Sequence, residues 1–153
     1  MEKKKVKTVA IDFDGVLADY SKGYQGKDVF GDPIPGADNA TKVLKENGWR
    51  IIIYTTRPNT EALRHWLKEN NITYDFINEN PDQPEESKGC KLIADVYIDD
   101  RAICFHGHWK WQIGDVASFK PWCKDQTDEL REMRQEYKNV FERAKEAKGI
   151  CIG

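Results

Sequence analysis

Short apolar runs alternate with longer amphipathic stretches along most of the chain, and the short runs predict strands. Residues 6–11, 50–54, 74–77 and 94–98 are brief segments rich in β-branched or aromatic side chains, which is typical of strands buried in a sheet. Residues 102–105 have a similar character and predict a further strand at the sheet edge. The pattern therefore predicts one sheet built from these segments.

The segments between the runs predict helices and one irregular excursion. Apolar side chains recur at helical spacing over residues 37–47 and 58–70, and again over a long final helix, residues 125–148. Residues 15–36 contain many Gly, Asp, Tyr and Pro residues and show no sustained period. This segment therefore predicts an irregular flap.

Strands that alternate with helices are typical of a single α/β domain, here spanning residues 1–153. Right-handed crossovers are expected to give a three-layer, Rossmann-like fold, with a mostly parallel sheet and helices on both faces. In such sheets the ligand binds beyond the carboxyl ends of the strands. Residues that carry chemistry should therefore cluster just after the strands.

Composition narrows the class of protein. The 153 residues are 39% hydrophobic and 33% charged with a net charge of −2, which is typical of a globular protein without whole-chain attraction to nucleic acid or membrane. No apolar run reaches the length of a membrane span, and none near the start is long enough for an export signal. Without an export signal, and with scattered cysteines that form no C-x-x-C pair, we expect reduced thiols in a cytoplasmic protein. The cysteines are Cys90, Cys104, Cys123 and Cys151.

Two aspartates, Asp12 and Asp14, follow the first predicted strand, and aspartate is disfavoured within strands. Residues two apart in an extended chain point to the same side, so the carboxylates should converge and need a cation or a proton. Ligands made only of oxygen favour magnesium or calcium over zinc. An aspartate-rich turn is the alternative, whereas a calcium loop is excluded because Gly15 follows Asp14 directly.

A second acidic pair, Asp99 and Asp100, ends the fourth predicted strand. Parallel strands would bring both pairs to the same rim of the sheet, and chance is a poorer explanation for two such pairs than for one. Together the pairs could supply the ligands of one magnesium ion.

Polar and basic residues flank two of the predicted strands. Thr55, Thr56 and Arg57 join the second strand to a helix with a proline in its first turn, where free N–H groups and hydroxyls can bind an anion. A threonine that merely caps the helix is the alternative. Lys91 precedes the fourth strand and Lys88 lies one turn earlier, and either could neutralise a bound phosphate.

Taken in order, the segments DFDGVL, IIIYTTRP, a lysine and ADVYIDDRA resemble the four motifs of the haloacid-dehalogenase-like phosphatases. The resemblance covers roughly residues 6–109. Its first and fourth motifs are specific, and the other two have meaning only in this order. The intervals between the motifs are too short for a large cap domain, so the chain is similar to small capless members with a minimal flap.

The resemblance implies a catalytic role for each motif. Asp12 would be the nucleophile that forms an aspartyl-phosphate, and Asp14 would act first as general acid and then as general base. Thr55 and Lys91, with Lys88 as the alternative lysine, would hold the phosphoryl oxygens.

It also implies binding roles. The magnesium ligands would come from Asp12, Asp14, Asp99 and Asp100. Asp14 would offer its main-chain carbonyl, and one member of the second pair would contact the metal directly with the other behind it. The substrate-binding residues would be Gly15, Thr56 and Arg57.

Aromatic, histidine and cysteine side chains lie near the predicted site. Cys104, His106 and His108 alternate but match no usual zinc pattern, so a flanking loop is favoured. The aromatic residues within 109–122 fit packing under the final helix better than a substrate entrance. The flap aromatics are candidates for substrate contact, and they are Tyr20, Tyr24 and Phe30.

The sequence thus predicts a magnesium-dependent phosphomonoesterase acting on a phosphorylated small molecule or macromolecular end. The alternatives are a nucleotidase or nucleic-acid-end phosphatase, and a non-catalytic module that binds phosphate or nucleotide. Without a Walker loop or G-x-G-x-x-G motif, a kinase or dinucleotide enzyme is disfavoured. We expect no membrane partner and leave nucleic acid open. The final helix should dock on its own domain, with a homodimer contact as the alternative.

Overall fold

The structure is a computed structural model that describes residues 5–122 and residue 135. The chain divides into two units, Met1–Pro121 and Trp122–Gly153, and every element described below lies in the first. Apart from residue 135, the predicted final helix lies outside the described residues, and the single domain stays a prediction. In the described part of the chain, no helix combines the length and the apolar character needed to cross a bilayer.

Parallel strands form one four-stranded sheet with the spatial order β3-β2-β1-β4. The strands are β1 (Thr8–Ile11), β2 (Arg50–Ile53), β3 (Phe76–Ile77) and β4 (Val96–Ile98). Ile11, the last residue of β1, pairs with Ile53 of β2 and with Ile98 of β4, so three strands end at one level. The predicted α/β fold with a parallel sheet is confirmed. Residues that follow these strands therefore meet at one edge.

Two helices, α1 (Ala37–Glu46) and α2 (Glu61–Glu69), make the crossovers on either side of β2. α2 begins after Thr60, whose hydroxyl oxygen accepts a hydrogen bond from the N–H group of Leu63 at 3.2 Å. Leu63 and Leu67 lie one turn apart and are fully buried. This apolar face holds α2 against the sheet.

The prediction of a further strand at residues 102–105 is wrong. These residues form a loop that passes through Gly107, with a φ of 89°, into a third helix, α3 (Trp109–Ser118). The sequence did not predict α3 because no residue of this helix is buried, so it has no apolar stripe to match a core. Trp109 and Trp111 are exposed on it.

Phe13, the residue between the two acidic residues of the first motif, lies at the centre of the core. Its side chain is 0% exposed. The ring meets those of Phe30 and Trp66 edge to face, with centroids 5.4 Å and 4.8 Å away. One side chain thus joins the end of β1 to the flap and to α2.

The flap, residues 15–36, folds back on itself and packs on α2. The N–H group of Asp19 donates to the carbonyl of Asp32 at 2.8 Å, and the indole N–H of Trp66 donates to the carbonyl of Gly31 at 3.1 Å. A Cβ atom on Gly31 would lie only 1.9 Å from the carbonyl oxygen of Asp19. Only glycine allows the two arms of the flap to approach this closely.

Gly31→Ala is therefore expected to lower the free energy of unfolding by about 1 to 3 kcal/mol, because the backbone must shift to admit a methyl group. Gly114→Ala is the matched control, since a Cβ there meets nothing within 4 Å. Because Gly114 lies inside α3, alanine should stabilise by about 0.5 to 1 kcal/mol. Urea unfolding of both variants measures the two effects, and equal effects of the same sign would contradict the close approach in the flap.

Candidate active site

Carboxylates from the ends of two neighbouring strands converge at one rim of the sheet. Asp12 follows β1, and its N–H group donates to the carbonyl of Ile98, the last residue of β4, at 2.9 Å. Asp99 and Asp100 come next along the chain. One carboxylate oxygen from each of the three aspartates lies within 4.8 Å of the others. The strand register creates this acidic cluster, which is defined by Asp12, Asp99 and Asp100.

The side chain of Asp100 is enclosed, with 4% of its surface exposed. Gly15, at a φ of 82°, makes room for it, because a Cβ there would lie 2.5 Å from Oδ2 of Asp100. Oδ1 of Asp100 is buried and has no hydrogen-bond partner among the described residues. A buried carboxylate oxygen without a partner, in a set of oxygen donors only, fits a hard divalent cation such as magnesium.

Burial and crowding oppose ionisation in the acidic cluster. Burial raises the pKa of Asp12 to about 6, and the negative charges of Asp99 and Asp100 add to the rise. The N–H group of Phe13 donates to Oδ1 of Asp12 at 2.7 Å and opposes the rise. Burial likewise raises the pKa of Asp100. The guanidinium of Arg101, whose Nε lies 3.9 Å from Oδ2 of Asp100, opposes the rise at Asp100, so the resistance to ionisation is clearest at Asp12.

Asp14 lies apart from the acidic cluster because its carboxylate is engaged elsewhere. Nε of Arg57 donates to Oδ2 of Asp14 at 2.7 Å, and Nη2 donates to Oδ1 at 2.9 Å. Arg57 and Asp14 therefore form a bidentate ion pair. The predicted metal contact through the main-chain carbonyl of Asp14 stays a prediction.

The threonine motif is a loop rather than the start of a helix. α2 begins at Glu61, whereas the sequence places its start at Pro58, because Thr60 is the residue that caps the helix. The N–H group of Thr60 donates instead to the carbonyl of Pro58 at 2.8 Å. The predicted helix start at Pro58 is therefore wrong, and anion binding by Thr55 and Thr56 stays a prediction.

Asn78, which the sequence analysis did not identify, holds this loop. Its Oδ1 accepts the N–H group of Thr55 at 2.8 Å, and its Nδ2 donates to the carbonyl of Arg57 at 3.1 Å. Asn78 adopts a left-handed conformation with a φ of 56°, in which asparagine is better tolerated than most residues. The only sequence signal is an asparagine directly after β3.

A cavity of about 520 Å³ opens beside the acidic cluster. Its lining brings together most of the predicted site, the flap candidate Tyr20 and two residues that were not assigned to the site. The lining consists of Asp12, Asp14, Tyr20, Tyr54, Thr55, Thr56, Asp99 and Arg101. The guanidinium of Arg101 lies 5.8 Å from the ring centre of Tyr20. Arg57 does not line this cavity. We name it the catalytic cavity.

The two candidate lysines lie in different surroundings. Lys91 lines a neighbouring cavity that also contains Asp12 and Asp99, and its Nζ lies 4.7 Å from the ring centre of Tyr97. Lys88 lines a separate cavity without these aspartates and forms an ion pair with Glu85. The geometry therefore favours Lys91 as the lysine of the site.

The other candidates are distributed around the catalytic cavity. Tyr20 is part of its wall, whereas Tyr24 and Phe30 pack on the guanidinium of Arg57. Among the described residues, the acidic cluster is the only group of three or more metal-ligating side chains brought together. Cys104 and the two histidines near it form no such group in that part of the chain.

Asp12→Asn is expected to stabilise the metal-free protein by about 1 to 2 kcal/mol at pH 7.5, because solvent screening reduces the effect at this partly exposed carboxylate. The pKa of Asp12 in the folded protein, about 6, exceeds its ordinary value of 3.8. The cost of holding the ionised carboxylate in the folded state is therefore fully present above pH 6. It shrinks as the pH falls through 6 toward 4, where the advantage of the variant should disappear. Urea unfolding in EDTA across this pH range measures the effect.

Asp115→Asn is the matched control, because it removes the same charge from an exposed position on α3. It should leave stability within about 0.5 kcal/mol at every pH. Magnesium should stabilise the wild type more than Asp12→Asn. A destabilised Asp12→Asn variant in EDTA would contradict the repulsion assigned to the acidic cluster.

Comparison with known proteins gives partial similarities. No family model and no curated protein sequence matches the chain. It is similar to a solved conserved protein from Bacteroides thetaiotaomicron, with 28% identity over 76% of this chain and 93% of that one and a TM-score of 0.49. It is also similar to the D,D-heptose 1,7-bisphosphate phosphatase of B. bronchiseptica, with 21% identity over 56% and 55% of the two chains and a TM-score of 0.37. The D,D-heptose 1,7-bisphosphate phosphatase of Burkholderia thailandensis is similar too, with 19% identity over 75% of this chain and 76% of that one and a TM-score of 0.38.

The chain's own residues carry the assignment. Two acidic motifs follow adjacent parallel strands, a threonine loop follows the next strand, and a lysine lies between them in the expected order. The described sheet brings these motifs to one edge. The fold is a parallel α/β fold, and the resemblance of its motifs to those of the haloacid-dehalogenase-like phosphatases stays the basis for a proposal.

Proposed function

We propose that the protein is a magnesium-dependent phosphomonoesterase in which Asp12 is the nucleophile. The observation that carries the proposal is the acidic cluster, whose oxygens converge within 4.8 Å beside a cavity lined by threonine side chains. Carboxylates alone would repel a phosphate ester. With a bound cation, one of them can instead serve as a nucleophile toward it.

In the first step, a carboxylate oxygen of Asp12 attacks the phosphorus atom while the bond from phosphorus to the ester oxygen breaks. Asp14 donates a proton to that oxygen, so the alcohol leaves neutral and the phosphoryl group remains on Asp12. Thr55 and Thr56 line the same cavity, and their hydroxyls can donate to the phosphoryl oxygens.

In the second step, Asp14 takes a proton from water as the water oxygen attacks phosphorus. The bond from phosphorus to Asp12 breaks, which releases phosphate and restores the carboxylate. Magnesium held by the acidic cluster would supply the positive charge that lets an anionic nucleophile approach an anionic ester. Lys91, beside Asp12 in the neighbouring cavity, adds a second positive charge.

A nucleotidase or nucleic-acid-end phosphatase is the second candidate, because of the wall of the catalytic cavity. Tyr20 and Tyr54 offer aromatic rings on which a base can stack, and Arg101 can pair with a further phosphate. These side chains lie beside the catalytic groups, where a leaving group would lie. They favour an ester whose alcohol carries an aromatic or anionic part.

Asp12→Asn should reduce hydrolysis of 4-nitrophenyl phosphate by at least about 1000-fold, because an amide cannot accept the phosphoryl group. EDTA should abolish the wild-type rate, and Asp115→Asn should retain it. Release of 4-nitrophenol at saturating magnesium measures all three. Turnover by Asp12→Asn would refute the nucleophile. A wild type that binds magnesium but hydrolyses no monoester would favour the non-catalytic binding module.

Lys91→Met should lower kcat/KM by about 100-fold, because it removes a positive charge that stabilises the transferring phosphoryl group. Lys88→Met is the matched control. Since Lys88 is paired with Glu85 away from Asp12, its loss should change kcat/KM by less than about 3-fold. Steady-state kinetics with 4-nitrophenyl phosphate compare the variants. A larger loss for Lys88→Met would reverse the assignment.

A further inference from the structure

Arg57 is a buried cation whose side chain is turned away from the catalytic cavity. It is 4% exposed, and its guanidinium holds both carboxylate oxygens of Asp14, at 2.7 Å and 2.9 Å. A guanidinium taken out of water is stable only when its donors are paired. The pair with Asp14 raises the pKa of Arg57, so the side chain stays charged.

The rest of the guanidinium is held by the flap. Nη1 of Arg57 donates to the carbonyl of Gly26 at 2.6 Å and to that of Lys27 at 3.3 Å. The rings of Tyr24 and Phe30 lie 4.9 Å and 5.2 Å from the guanidinium carbon, within cation–π range. One side chain therefore joins the catalytic carboxylate Asp14 to main-chain and aromatic groups of the flap.

The backbone of Arg57 is fixed as well. Its N–H group donates to Oγ1 of Thr55 at 3.1 Å, and its carbonyl accepts from Asn78 at 3.1 Å. With main chain and side chain both anchored, the guanidinium presents a rigid fork to Asp14. Such rigidity matters because displacement of a catalytic group by about 1 Å can cost about 100-fold in rate.

We propose that Arg57 is a positioning residue that orients Asp14 for proton transfer. Because Arg57 is itself bonded to the flap, the orientation of Asp14 depends on the flap. The proposal rests on the proposed phosphomonoesterase function. It replaces the direct substrate contact that the sequence suggested for Arg57. The flap then acts as the outer support of the acid, through the carbonyls of Gly26 and Lys27.

The proton that Asp14 transfers provides a specific readout. As the bond from phosphorus to the ester oxygen breaks, its electron pair stays on that oxygen, which takes the proton from Asp14. An alkoxide needs this proton, whereas 4-nitrophenolate is stable as an anion. Misplacing Asp14 should therefore slow hydrolysis of an alkyl ester much more than hydrolysis of an activated aryl ester.

The test compares benzyl phosphate with 4-nitrophenyl phosphate, which have leaving groups of similar size. Arg57→Lys keeps the charge and removes the fork. It should lower kcat for benzyl phosphate by about 10- to 100-fold, lower kcat for 4-nitrophenyl phosphate by less than about 5-fold, and leave both KM values within about 3-fold. Guanidinium chloride added to Arg57→Ala should restore part of the benzyl phosphate rate.

Arg50→Lys is the matched control. Arg50 is also largely buried and pairs with a carboxylate, that of Asp82 at 2.6 Å, but it begins β2, away from the catalytic cavity. It should leave both rates within about 2-fold of wild type. Equal losses for the two esters in Arg57→Lys would overturn the positioning role, and a rise in KM without loss of kcat would restore direct substrate binding.

A second measurement does not require activity. Trypsin can cut the flap after Lys22 or Lys27, both of which are exposed. In Arg57→Lys and Arg57→Ala this cleavage should be about 10-fold faster than in wild type, while Arg50→Lys should match wild type. Unchanged cleavage would overturn the link to the flap. If neither the wild type nor any variant hydrolyses an ester, the proposed function is refuted. Trypsin cleavage still decides whether Arg57 anchors the flap.

Discussion

Repulsion among the carboxylates of the acidic cluster is the constraint around which the rest of the site is arranged. The register of β1 and β4 brings Asp12, Asp99 and Asp100 within 4.8 Å of one another, and burial raises the pKa of Asp12 to about 6. The fold maintains this arrangement with a core of branched apolar side chains on β1 and β2 that is almost fully buried. A divalent cation is the natural compensation for such a cluster.

The two carboxylates of the first motif have different partners. Phe13 points into the core and is held by the rings of Phe30 and Trp66, which fixes the chain on either side of it. Asp12 then lies beside Asp99 and Asp100 in the acidic cluster, and Asp14 faces Arg57. One carboxylate has negative neighbours and the other has a positive partner. A cation bound by the acidic cluster would keep Asp12 ionised as a nucleophile, and the guanidinium of Arg57 fixes the direction in which the carboxylate of Asp14 faces.

The flap contributes to the site from a distance. It supplies Tyr20 to the wall of the catalytic cavity, and it supplies two carbonyls and two rings to Arg57. Its own closure depends on the contact between Gly31 and Asp19, where no side chain fits. A small irregular segment can therefore support the catalytic groups without forming a domain of its own.

The sequence predicted the parallel sheet and the order of its motifs because both follow from local patterns. Apolar runs identify buried strands, and acidic residues directly after them must meet at the strand ends. The roles of Arg57 and Asn78 could not be predicted, because each depends on partners more than 20 residues away along the chain. The wrong strand at residues 102–105 and the missed helix α3 have a common cause. Residues 102–118 have apolar side chains that are mostly exposed, so their pattern does not report burial.

The start of α2 shows the limit of local signals more sharply. Pro58 and Thr60 are both acceptable near a helix N-terminus, and only the hydrogen bond from Leu63 to Thr60 decides between them. A shift of the helix start by a few residues turned an expected helix terminus into a loop. The threonines nevertheless remain in the catalytic cavity, because the end of β2 and the side chain of Asn78 hold that loop.

Transfer of the phosphoryl group to Asp12 can be detected by trapping that group on the protein. The protein would be mixed with 4-nitrophenyl phosphate and magnesium, quenched in acid, reduced with borohydride and digested for mass spectrometry. Borohydride reduces an aspartyl-phosphate to homoserine. We therefore expect homoserine at position 12 and at no other aspartate. Phosphate release with no modified aspartate, or with the modification at Asp14, Asp99 or Asp100, would contradict it.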